Sequence, residues 1–119
     1  MIQRHRKAAH LHAAVQHQGV LYISGHAAHD IDQDIKGQTQ EICDKLDRLL
    51  ADCGTDKTQL LQARIYLTDM SQKAAMNEVW LAWLDGADLP ARATIGVADL
   101  GDPRRLIEIA SIAALPERG

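Results

Sequence analysis

Gln18-Gly19-Val20-Leu21-Tyr22-Ile23-Ser24-Gly25 is a turn followed by a β run. Val20, Tyr22 and Ile23 belong to the branched and aromatic types that fit a pleated, half-buried surface. Gln18-Gly19 supplies the tight turn before it, because glycine adopts positive backbone angles at little cost. On the N-terminal side, His12–His17 alternates weakly and fits as the partner strand. Together these segments make a hairpin, and Gly25 ends its second strand. His26–Asp34, with its Asp and His residues, reads as loop.

A helix is expected next, from Ile35 to Cys53. Ile35, Ile42, Leu46, Leu49, Leu50 and Cys53 follow the three-and-four spacing of one buried face. Glu41, Lys45, Asp47 and Arg48 lie on or near the other side. Gly54 is suited to the left-handed position that closes a helix. Gln62–Leu67 then reads as a strand, with Ala63, Ile65 and Leu67 on one face. Asp69 or Ser71 can cap a second helix over Gln72–Leu84, whose stripe is Met76, Val79, Trp80, Trp83 and Leu84. Asp85-Gly86 breaks it. Arg92–Ala98 and Leu106–Ala114 read as two last strands, joined by a connection holding Gly101 and Pro103. The order is β-β-α-β-α-β-β. Helices packed on one face of a mixed sheet make an α+β sandwich. The opposite face then needs cover, and a second subunit supplies it most economically in so short a chain.

Composition narrows the function classes. The chain has 119 residues, 46% hydrophobic and 24% charged, with a net charge of −3. That is the length of one domain, over residues 1–119, and too apolar for disorder. Aromatic residues are 3% and Phe is absent, so the core must be aliphatic. A mildly acidic chain is a poor polyanion binder, so nucleic acid is not expected as a partner. No apolar run approaches the roughly 18 residues of a membrane-spanning helix. The basic opening segment has no apolar stretch after it and does not read as a secretory signal. Cys43 and Cys53 fall on one helix, where ten residues rise about 15 Å, well beyond the reach of a disulfide. Reduced thiols in a cytoplasmic protein are expected.

All six histidines, His5, His10, His12, His17, His26 and His29, lie in the first 29 residues. His10 and His12 on one strand would share a face. His26 and His29 with Asp30 bring metal-ligating types together, but the spacing matches no zinc pattern and no nearby Cys joins it. Solvated or hairpin-packed histidines are the expectation, with no metal.

The last two strands carry a different chemistry. Arg92, Thr94 and Gly96 share one face, and Ala93, Ile95 and Val97 share the other, which is assigned to an apolar core. The first set offers a guanidinium, a hydroxyl and open backbone. Arginine can grip a carboxylate through two parallel hydrogen bonds. Glu108 lies between Ile107 and Ile109 and shares its face with Leu106, Ala110 and Ile112. A carboxylate among aliphatic side chains is costly unless paired, and groups so placed often handle protons. The plain alternative is an ion pair between Arg92 and Glu108 on neighbouring strands. Ser24-Gly25 could place a hydroxyl and a free amide at a pocket, and Asn77 could line one. Trp80 and Trp83 read as core or interface anchors. No glycine-rich phosphate loop is present, so no nucleotide cofactor is expected.

These segments together resemble the reactive intermediate deaminase (Rid, YjgF-like) family, in a divergent branch. The resemblance rests on Gly19-x-Leu21-Tyr22-Ile23-Ser24-Gly25, on Gln38-Thr39 with the helix up to Gly54, and on Arg64-x-Tyr66-Leu67-Thr68-Asp69-Met70. It continues through Met76-Asn77-Glu78-Val79-Trp80, Pro90-Ala91-Arg92-Ala93-Thr94 and Leu106-Ile107-Glu108-Ile109, spanning about Ala13 to Ala114. It implies a chorismate-mutase-like fold and a homotrimer with three clefts between subunits. It also implies cofactor-free hydrolysis of small 2-imino acids, such as that from 2-aminoacrylate, to 2-keto acids and ammonia. Arg92 matches the arginine that binds the substrate carboxylate, and Glu108 the glutamate that positions or activates water. Ser24 and Asn77 match pocket-lining positions. Leu11 stands where active members place a tyrosine, and Thr94 where a cysteine is frequent. Three readings follow: an imine deaminase, a non-catalytic trimer binding small carboxylates in a sensing role, and a structural or chaperone-like trimer. Ribonuclease activity, credited to some members, ranks below these on charge.

Overall fold

Gln18 and Gly19 take φ of 50° and 78°, the left-handed pair that lets a two-residue turn follow the twist of its strands. The computed structural model describes residues 1–85 and 88–116. In chain order its strands and helices are β1 (Gln3–Lys7), β2 (His12–His17), β3 (Val20–His26), α1 (Ile35–Asp52), β4 (Leu60–Leu67), α2 (Lys73–Leu84), β5 (Ala91–Gly96) and β6 (Ile107–Ala114). They form a six-stranded sheet in the order β1-β2-β3-β6-β4-β5. Only the β4–β5 pair among these ladders is parallel, joined by the crossover through α2. The fold is α+β with a mixed sheet and two helices, as the sequence pattern predicts.

One strand was not anticipated. Gln3-Arg4-His5-Arg6-Lys7 has no apolar alternation, yet it pairs with β2 from Gln3↔Gln16 to Lys7↔His12. The backbone ladder holds it, and its charged side chains suit an exposed sheet edge that must not recruit other strands. The order is therefore β-β-β-α-β-α-β-β.

The helix boundaries follow their caps. Asp34 accepts a hydrogen bond from the Gly37 amide (2.8 Å) and starts α1. Gly54, at φ 83°, follows the C-terminal cap Cys53, and the Thr55 amide donates back to the Leu50 carbonyl (2.9 Å). Asp85 closes α2 at φ 55°, while Gly86 lies outside the described residues. Asp69 caps a 3-10 turn, Met70–Gln72, rather than α2 itself.

Both helices cover one face of the sheet. Ile42, Leu46, Leu49 and Leu50 of α1 are fully buried, as are Ile65, Ile107 and Ile109 of the central strands. Each such side chain stabilises the fold by about 1.5–3 kcal/mol relative to exposure. Trp80 and Trp83 are buried with ring centroids 5.5 Å apart, and the Trp83 indole donates to Asp47 of α1 (3.0 Å). The sheet's other face carries Tyr22, Tyr66, Ile95 and Ile112, with Tyr22 48% and Ile95 38% exposed. Ala93 is exposed there too. The assignment of Ala93, Ile95 and Val97 to the core is thus corrected: both helices lie on the Arg92 side of β5. Among the described residues, no helix is long and apolar enough to cross a membrane.

Candidate functional site

β3 does not end at Gly25. It runs to His26, with a register shift between Ile23↔Ser111 and His26↔Ile109. Ser24 and Gly25 together oppose Ala110, a β-bulge of the kind that re-aims side chains beside sites. The Ser24 hydroxyl donates to the His12 carbonyl (2.7 Å), tying the bulge to β2. Gly25 leaves the space that Glu108 uses: a Cβ there would stand 2.5 Å from Glu108 Oε2. Tyr66 lies directly opposite Glu108 on β4, so the carboxylate belongs to the open face.

Arg92 occupies the far edge of the sheet. It pairs in register with Ala63, and Thr94 with Ile65, both buried under the helices. Arg92 shares a pocket of about 240 Å³ with Asn77, Trp80 and Leu81 of α2 and with Leu89 and Pro90. Burial lowers the pKa of its guanidinium, and no carboxylate among the described residues acts against that shift. Asn77 Oδ1 and Thr94 Oγ1 are buried and find no hydrogen-bond partner among the described residues. Buried polar atoms are nearly always satisfied, so the orphaned oxygen of Asn77, in the pocket that Arg92 lines, marks a place for a polar ligand.

The expected site residues therefore form two groups. Arg92, Asn77 and Thr94 gather on the helix-covered side, and Glu108, Gly25 and Ser24 gather at the bulge. Arg92 and Glu108 are not on neighbouring strands, because β4 lies between β5 and β6. Their side chains leave opposite faces. The ion pair between them, kept open by the sequence, does not form among the described residues. Sequence reasoning missed the apposition of Gly25 and Glu108, since Gly25 reads as a strand end. It also passed over Arg64 and Tyr66, whose outward alternation on β4 places them on the face of Glu108.

Other residues fall elsewhere. Leu11 is exposed in the β1–β2 connection. Among the described residues, no three His, Cys, Asp or Glu side chains cluster to hold a metal. Cys43 is buried, which pushes its thiol up to about 12, and Cys53 is half-buried; neither is bonded to the other.

Known proteins share this fold. The family model described as Endoribonuclease L-PSP matches residues 1–115. A RutC family protein of Haemophilus influenzae is 37% identical, covering 94% of this chain and 97% of that protein. The chain belongs to the YjgF/Rid family. A crystal structure of a YjgF family member from Neisseria meningitidis superposes with a TM-score of 0.94 at 33% identity, covering 99% of this chain and 98% of that one. A protein of the Rid family from Yersinia pestis, of unknown function, gives a TM-score of 0.84 at 27% identity, covering 92% and 90%. The YjgF/Rid fold thus accounts for the whole β-α pattern, including the β1 edge that this chain builds from charged residues.

Proposed function

We propose that this YjgF/Rid chain is an imine deaminase whose site is completed between subunits of a homotrimer. Three copies would each set the β5 edge, which carries Arg92, against the open sheet face of a neighbour, covering that neighbour's Tyr22 and Ile112. Glu108 and Gly25 of one subunit would then face Arg92, Asn77 and Thr94 of the next. The observation that carries this reading is Arg92, a half-buried guanidinium in no ion pair among the described residues, sharing its pocket with the orphaned oxygen of Asn77.

The chemistry follows from these groups. Arg92 grips the carboxylate of a small 2-imino acid through two charge-assisted hydrogen bonds. Trp80, Leu81 and Pro90 offer an apolar wall to a short side chain. Holding the imine carbon still removes much of the entropic barrier to attack. Glu108 accepts a proton as water adds to the C=N carbon, and returns it to the nitrogen as the C–N bond breaks. Imine and water become 2-keto acid and ammonia, with no change in oxidation state.

A second reading keeps the binding and drops the turnover. It is favoured by Leu11, a side chain that can neither donate nor accept a proton where relatives place a tyrosine. Both are tested by adding the protein to freshly generated 2-aminoacrylate. The deaminase reading expects ammonia release above the spontaneous rate. The binding reading expects none, with a raised melting temperature in millimolar 2-keto acid. Gly25→Ala refines the test. Gly25 has no positive φ, so alanine fits the backbone, but its Cβ would stand 2.5 Å from Oε2 and 2.9 Å from Cδ of Glu108, so the whole Glu108 carboxyl group must move aside. We expect stability within about 1 kcal/mol of wild type and ammonia release lowered about tenfold or more.

A further inference from the structure

At the opposite end of the sheet from β5, on the helix-covered side, lies a pocket of about 350 Å³. Its lining is Arg6, His26, His29, Lys45 and Arg48, all basic, in a chain whose net charge is −3. Three parts of the fold bring these side chains together: β1, the segment that leaves β3, and α1. Arg6 is unusual in getting there. His5 pairs with Ala14 and bonds Gln16, so strand alternation from His5 would send Arg6 to the open face. Its backbone is instead left-handed, at φ 53°, and its guanidinium pairs with Asp52 of α1. A left-handed arginine is uncommon and calls for a local reason.

The positive charges there are incompletely balanced. Lys45 donates to the Ala27 carbonyl (2.7 Å) and lies 3.7 Å from Glu41. Glu41 itself is occupied by the His29 and Asp30 amides and by Gln33. Arg48 joins none of the ion pairs among the described residues. His26 donates Nδ1–H to the Ser24 carbonyl (2.7 Å), which leaves Nε2 as an acceptor, suited to the P–OH group of a phosphate and not to a bare oxyanion such as sulfate. Burial chiefly, and then Lys45 and Arg6, hold the pKa of this imidazole below the ordinary histidine value; the Ser24 carbonyl and Glu108 oppose that shift.

We propose that this pocket binds a small phosphate-bearing anion, either inorganic phosphate or a phosphate monoester. The guanidinium fork of Arg48 matches phosphate oxygens, Arg6 can turn its remaining N–H groups to them while it holds Asp52, and Lys45 adds a point charge held by its backbone contact. An anion also relieves the mutual repulsion of the cations, and its benefit is greatest where they are partly desolvated. The volume exceeds one phosphate group and leaves room for a small organic substituent. The site also gives a place to two of the N-terminal histidines, which Glu108 and Arg92 do not use.

Calorimetric titration of the full chain in chloride buffer, at matched ionic strength, tests the proposal. Inorganic phosphate, glycerol phosphate and sodium sulfate are compared. We expect saturable binding of a phosphate species, with sulfate weaker. Tighter binding of glycerol phosphate identifies a monoester site, and tighter binding of inorganic phosphate a site for the free ion. Arg48→Glu should weaken binding about tenfold or more, with ammonia release and melting temperature unchanged, because Arg48 is exposed and makes none of these ion pairs. Arg92→Ala should leave phosphate affinity intact, which separates this site from the carboxylate site. Absence of saturation, equal responses to sulfate and phosphate, or unaltered affinity in both Arg48→Glu and Lys45→Met would overturn it.

Discussion

Arg92→Ala is expected to lower kcat/KM for 2-imino acid hydrolysis by about a hundredfold or more. Two charge-assisted hydrogen bonds to one carboxylate are together worth about 3 kcal/mol, and each 1.4 kcal/mol is tenfold. Arg92→Lys keeps the charge but loses the planar fork, so an intermediate loss of about tenfold is expected. The folded state should tolerate both changes, because Arg92 joins no ion pair among the described residues that its removal would strand. Steady-state ammonia release, read beside the melting temperature, checks this. Equal activity in wild type and Arg92→Ala would remove Arg92 from the chemistry.

The second large effect is on stability. Gln38 is fully buried in the first turn of α1. Its amide nitrogen donates to the carbonyls of Gln33 (3.0 Å), Ile31 (3.3 Å) and Arg104 (2.8 Å), and its oxygen accepts from the Leu106 amide (3.0 Å). One side chain thus fastens the loop before α1 and the start of β6 to the helix. Gln38→Leu keeps the bulk and strands the Arg104 carbonyl and Leu106 amide, each costing about 1–3 kcal/mol. We expect a loss of about 3 kcal/mol, or a drop of about 10 °C in Tm at fixed protein concentration. Gln38→Glu should be worse, because it turns a carboxylate toward three carbonyl oxygens. A Tm within about 2 °C of wild type in both variants would show that the clamp contributes little.

Elements whose local chemistry and burial agree were legible in the sequence. The Gln18-Gly19 hairpin, the aliphatic stripe of α1 and its Gly54 stop follow from side-chain size, period and backbone freedom. β1 was not legible, because a charged edge strand is specified by its partner's ladder and carries no apolar pattern. The alternation within β5 and within β6 was read correctly. What alternation cannot say is how two strands are phased across a third. The pairings Ile65↔Thr94 and Tyr66↔Glu108 set that phase, and they put Arg92 and Glu108 on opposite faces. The bulge at Gly25 was hidden for a similar reason, since it depends on the register against β6. Gln38 looked like one polar residue at a helix start, and its role emerges only when Arg104 and Leu106 are folded against it.

That phase has a functional consequence. If Arg92 and Glu108 act on one substrate, they must come from different subunits. Arg92→Ala and Glu108→Gln chains are each expected to be inactive as pure trimers. In the proposed trimer, chains unfolded together, mixed in equal amounts and refolded would leave about a quarter of the clefts with both native residues. Ammonia release from the mixture is the direct measurement. Recovery toward a quarter of the wild-type rate is the predicted result. A mixture as inactive as its two components, with mixed trimers demonstrated by mass spectrometry, would contradict a site shared between subunits.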